Sequence, residues 1–308
     1  MTAWEKQEYS ERHRIMEYTI KNQYLTVRIS SMGGEVQSVC DWTGKEYLWQ
    51  GDPKIWEDRA PNLFPYIGRM TGKTYSFQGK IYHMDIHGFL PHMEMNLIEQ
   101  EESFLTLGLR ATEKTLEQYP FLFELRIAYR LERDTLDIVY YVENQDAKRM
   151  YFGIGGHPGF QVPLEDGETF EDYRLDFGEG ARPYRQGMSE DCFVLEEQTA
   201  FALAEGRYLK LDHALFDNDA IILNKMPHKV RLGSEKSKRE VIVSFPQMEY
   251  LGIWHRPFTK AAYVCIEPWS SLPSRKDIVE DLAAQPGLIA LDSGNSYVNT
   301  WSISVREK

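Results

Sequence analysis

His157 lies in the run Tyr151–Phe160, YFGIGGHPGF, behind Gly153, Gly155 and Gly156 and ahead of Pro158-Gly159. Glycine permits conformations and close approaches that a β-carbon forbids, so the backbone here is bent or crowded around one imidazole. The apolar flanks Tyr151, Phe152, Ile154 and Phe160 suggest a strand end that delivers this ring to a pocket floor. The plainer alternative is a strand-to-loop corner whose histidine caps a carbonyl. In a pocket, the imidazole can take or give a proton near neutral pH. A possible counterpart is Glu267 in VCIEPW, where Tyr263–Ile266 reads as a buried strand that Pro268 should stop. A carboxyl there is partly desolvated, which raises its pKa and makes it a better base. An edge-strand glutamate paired with a surface arginine is the competing reading.

Two more positions share the design of a polar side chain beside Gly or Pro at the end of an apolar run: Arg69 in IGRM and His87 in IHGFL. Asp219 in FDNDAII stands similarly at the start of a strand, with Asp217 close by. The spacing of His83, His87 and His92 could place metal ligands on one strand face, yet no carboxylate pattern accompanies it.

The elements that must position these groups read as strands. A hairpin turns at Lys21-Asn22-Gln23, and a second turns at Gln78-Gly79-Lys80. Met93–Glu101, Phe104–Ala111, Phe123–Leu131 and Leu136–Asn144 are consecutive alternating runs, predicting an antiparallel meander. Gly178–Gln198 reads as a Gly/Arg/Glu-rich excursion, and Lys229–Gly233 with Val241–Phe245 as a hairpin. Helix candidates are few and short: Asp52–Asp58, Thr112–Tyr119 and Asp277–Ala284. Many strands without a βαβ rhythm predict an all-β fold, a large antiparallel β-sandwich. No linker or fixed-period repeat divides the chain, so residues 1–308 are expected to form a single domain.

Composition narrows the class. A net charge of −12 over 308 residues argues against a nucleic-acid partner, which needs a basic stripe. No apolar run reaches membrane-spanning length, and the N-terminal MTAWEKQEYSERHR is polar rather than signal-like. Cys40, Cys192 and Cys265 are scattered and odd in number, which fits unpaired thiols in a reducing, cytoplasmic setting and offers no metal cage.

Taken in order, LFPYIGR, HGF, GGHPGF and IEPW resemble the aldose 1-epimerase (galactose mutarotase-like) family, nearest its LacX-type branch. Ile20-Lys21-Asn22, Ser31-Met32-Gly33-Gly34-Glu35 and Tyr47–Pro53 fit that branch too, and the likeness runs from about Glu17 to the end. The resemblance implies a large β-sandwich in which His157 is the general acid and Glu267 the general base. It implies that His87 binds the sugar near its ring oxygen, and that Arg69 and Asp219 bind hydroxyls. It implies no cofactor or metal, a small-molecule sugar as substrate, and a monomer or homodimer. Relatives in this branch commonly read HGFAR; here Leu90-Pro91 follows Phe89, so a cation is missing.

Interconverting α and β anomers requires taking the C1 hydroxyl proton while protonating the ring oxygen; the free aldehyde then rotates and recloses. One base and one acid on opposite sides of the ring suffice, each transfer contributing on the order of 10²–10⁴-fold. Trp254, Trp269 and Phe89 could stack on a sugar face. A glycoside hydrolase needs two carboxylates roughly 5–9.5 Å apart and leaves both motif histidines unused. A hexose-6-phosphate epimerase needs a cationic cluster beyond Arg69. A non-catalytic sugar-binding protein of the same fold has no need of an acid–base pair.

Overall fold

Alternation of apolar and polar residues sets the architecture, because side chains on a strand point to opposite faces in turn. The computed structural model describes residues 15–307; the polar N-terminal stretch read above as unlike a secretion signal lies outside them. Among the described residues two large antiparallel sheets dominate. The first has nine strands, and one end of it is the meander Asn96–Glu101, Phe104–Arg110, Phe123–Glu132 and Thr135–Asn144. Ser296–Glu307 continues it beside Thr135–Asn144, and Arg239–Ser244 and Lys229–Ser234 follow.

The second sheet has eight strands and carries the chemistry. Its order runs Val194–Ala200, Tyr184–Met188, Ile221–Asn224, Tyr250–Trp254, Tyr263–Trp269, Gly155–Gly156 and Asn62–Leu63, with Gly159–Gln161 also paired to Tyr263–Trp269. Inner faces of both sheets meet in one apolar core that includes Ile127, Ile138, Ile303, Val264 and Ile266. Polar pins cross it: Tyr140 donates its hydroxyl to Asn62 Oδ1 at 2.8 Å and to the Gly155 carbonyl at 3.1 Å.

The glycines around His157 answer to crowding rather than to unusual φ. A β-carbon on Gly156 would enter the Trp301 ring, and one on Gly159 would stand 2.7 Å from Trp56. The backbone is thus pressed between the nine-stranded sheet behind it and the aromatic wall in front.

Several expectations are corrected. Asp277–Ala284 is a chain of turns, not a helix, and Asp52–Asp58 is a turn closed by the Asp52–Trp56 bridge. Thr112–Tyr119 does contain a helix, Glu113–Gln118, capped by Thr112 and Thr115. The 178–198 excursion holds the strand Tyr184–Met188 and the start of Val194–Ala200, bulged between Gln186 and Met188. Pro268 does not stop its strand, which runs on to Trp269. The amides of Ile266 and Ser270 donate to Pro158 and Ile154, so Pro268 faces the same side, where the partner chain bows out between Gly156 and Gly159. A missing donor costs nothing opposite a gap.

Among the described residues no helix is long and apolar enough to cross a membrane.

Candidate active site

All seven residues of Tyr263–Trp269 are buried, as a central strand covered on both faces requires. Val264 and Ile266 enter the main core, and the alternate side chains Tyr263, Cys265, Glu267 and Trp269 face the other way. Across from them the bowed chain presents His157. Its Nε2 lies 3.1 Å from Glu267 Oε2, within ion-pair distance but without the alignment of a hydrogen bond. His157 Nδ1 is likewise buried without a partner. Trp56 and Trp254 flank the imidazole, with ring centroids 5.1 and 5.7 Å away.

This pair forms part of the wall of a cavity of about 490 Å³. Arg69, His87 and Asp219 line the same space, so residues spread over some two hundred positions of sequence converge there. Asp217 is not part of the lining; it closes the short helix His213–Phe216, so of the two aspartates only Asp219 faces the cavity.

Each partner is held by its own loop. His87, at φ 66, and Gly88, at φ 77, turn the chain back on the Phe64 carbonyl, where a β-carbon on Gly88 would collide. Gly68 N–H donates to His87 Nδ1 at 3.2 Å, which leaves the ring proton on Nε2. The Arg69 guanidinium reaches the Asp191 carbonyl at 3.1 Å. Asp219, at φ 64, accepts from Ala220 N–H at Oδ1 and from the Cys192 thiol at Oδ2, both at 2.8 Å.

Electrostatics follow from burial. Desolvation pushes the His157 pKa down to about 4, against the lifting effect of its own nearby backbone and of the Asp219 charge. The same desolvation, with Asp219 adding, pushes the Glu267 carboxyl well above its usual range. His87 is held well below 6.5 by burial first and by the positive potential of His157 and Arg69 second, so it stays neutral.

Three expectations change here. Glu267 and His157 are neighbours, not groups set on opposite sides of a sugar ring. Phe89 packs among Phe64, Tyr119 and Phe123 in the core, away from the cavity, while Trp56 lines it unannounced by any motif. His83, His87 and His92 do not gather; the metal-competent trio among the described residues is His157, Cys265 and Glu267. Also unforeseen are Asp58, Cys192 and Arg256 in the lining. They sit in irregular loops, where no periodicity signals which way a side chain points.

The family model for aldose 1-epimerase matches residues 16–304. The chain belongs to the aldose 1-epimerase family. It is 34% identical over 295 residues to the chromosomal protein LacX of Lactococcus lactis subsp. lactis, covering 92% of this chain and 98% of that one. A galactose mutarotase related enzyme from Lactobacillus acidophilus superposes with a TM-score of 0.91 at 33% identity, covering 95% of this chain and 98% of the other. A galactose mutarotase-like protein from Lactobacillus casei gives 0.89 at 29% identity, covering 94% of this chain and all of the other. Aldose 1-epimerase membership makes the protein an isomerase with a galactose mutarotase-like fold. The Leu90-Pro91 departure falls outside the cavity lining, where Pro91 packs against Gly33.

Proposed function

We propose that the protein interconverts the α and β anomers of a free hexose, with Glu267 as base and His157 as acid. The observation that carries this is the 3.1 Å approach of the two groups in the wall of a sugar-sized cavity. The hydroxyl oxygen and ring oxygen of an aldopyranose share one carbon, C1. An acid and a base therefore serve them as side-by-side neighbours, and an aligned hydrogen bond between them would only compete with substrate. Glu267 takes the O1 proton while His157 gives one to the ring oxygen; the ring opens, the aldehyde turns, and both transfers reverse.

The working pair, carboxylate with imidazolium, holds one proton in total. Burial of the two groups favours the carboxylic acid with neutral imidazole, which holds the same number. The arrangements differ only in where that proton sits, and the Asp219 charge favours keeping it on the pair. Neutral His87 supplies an Nε2–H donor, and Arg69 and Asp219 bind hydroxyls.

Charge count favours a neutral sugar: Asp58 and Asp219 in the lining match Arg69 and Arg256 in number, and the Glu267–His157 pair with its one proton is net neutral, so the lining has no cationic excess. A phosphorylated hexose is the second reading, supported by Arg256 as a cation beyond Arg69. Polarimetry on freshly dissolved glucose and galactose tests the proposal. H157A and E267Q should each slow anomerisation about 10²–10⁴-fold. Unchanged rates in either variant would remove that residue from its role.

A further inference from the structure

Cys265 is two residues before Glu267 on the same strand, so the two side chains share a face. Gly159, two residues beyond His157, pairs with Cys265 across the sheet. The result is that one ligand atom from each of His157, Cys265 and Glu267 lies within 4.8 Å of the others. Cys265 is fully buried, and Glu267 is 1% exposed. His157 Nδ1 and Glu267 Oε2 have no hydrogen-bond partner despite this burial, although buried polar atoms almost always have one.

We propose that His157, Cys265 and Glu267 form a three-ligand site for a thiophilic divalent cation such as Zn²⁺. An imidazole nitrogen, a thiolate sulfur and a carboxylate oxygen are the donor types Zn²⁺ takes, and three protein ligands leave a fourth position for water or substrate. Charge supports the choice. A dication with one thiolate, one carboxylate and a neutral imidazole sums to zero, the condition under which ionised groups are tolerated in a buried place. Binding displaces the thiol proton and the proton of the acid–base pair into solvent. Because two of the ligands are the proposed acid and base, the bound metal blocks proton transfer. It acts as an inhibitor rather than a cofactor. Metal binding itself does not depend on the catalytic proposal; only the inhibition rests on it.

A second thiol, Cys192, lines the cavity that His157 and Glu267 share, beside Asp219, and is the competing anchor. Titration of the full chain with Cd²⁺, read by thiolate-to-metal charge-transfer absorption, separates the two. The expected result is one equivalent bound with such a band in the wild type and in C192A. The band should be lost in C265A, and E267Q should weaken affinity on the order of tenfold or more. A band that survives in C265A, disappears in C192A, or is absent from the wild type overturns the site. In polarimetry, Zn²⁺ should slow the wild type and C192A alike, whereas C265A should need at least roughly tenfold more metal for the same effect.

Discussion

Gly68 and His87 are joined in both directions: His87 N–H donates to the Gly68 carbonyl at 2.9 Å, and Gly68 N–H donates to His87 Nδ1 at 3.2 Å. The second bond fixes the tautomer, and burial fixes the charge state, so His87 offers one neutral donor to the cavity. H87A should raise KM about fivefold, the worth of one neutral hydrogen bond of about 1 kcal/mol. H87Q, which can place an amide N–H near the position of Nε2, should recover part of that loss. The KM ratio of H87A to wild type should stay flat across the neutral pH range; a ratio that changes there would mean that the ring titrates.

The stability of E267Q relative to wild type should grow as pH rises. Burial lifts the Glu267 pKa in the folded chain well above 4.5. Between the unfolded and folded values the folded chain binds more protons, so wild-type stability falls as pH climbs through that window. His157 has the opposite sign, its folded value of about 4 giving stability that rises with pH between there and 6.5. Melting curves of both proteins above pH 6.5 isolate the carboxyl. A Tm difference that fails to grow with pH would show that the folded pair holds no extra proton in that range.

Activity requires the pair to hold one proton, so kcat/KM should be bell-shaped in pH. Asp219 favours protonation of both members. D219N removes that charge, and both limbs of the profile should move to lower pH, together with a weaker KM from the lost hydroxyl contact. Movement of one limb alone would show that Asp219 acts on only one of the two groups.

R256A discriminates between neutral and phosphorylated hexoses. With glucose as substrate its KM should stay within about twofold of wild type, since an exposed cation contributes little. If glucose 6-phosphate equilibrates faster than glucose in NMR exchange, and R256A abolishes that advantage, the phosphorylated reading wins.

G156A should cost about 1–3 kcal/mol, because its β-carbon enters the Trp301 ring and a packed interior yields only by strain. Denaturant midpoints measure it. Anomerisation should drop as well, since the adjacent His157 moves with the backbone.

The strand meander, the hairpins and the short capped helix were legible because period-two alternation and turn residues are local signals. The five proposed site residues were legible for a related reason: each stands where Gly, Pro or a strand start interrupts an apolar run. Trp56 and Asp58 carry no such mark, and only the tertiary fold turns them inward; Arg256 does carry it, beside Pro257 just past Tyr250–Trp254. The path of Pro268 was misread because the gap that excuses its missing amide lies on a neighbouring strand, more than a hundred residues earlier.

The base sits on a central strand and the acid on the two-residue bow between two segments paired to that strand, whereas Arg69, His87, Asp219 and Arg256 ride on connecting loops. Reaction and recognition are therefore modular. Loop grafts could retune which sugar is preferred while the spacing of the proton-handling groups, set by the hydrogen-bonded lattice of the sheet, is inherited unchanged.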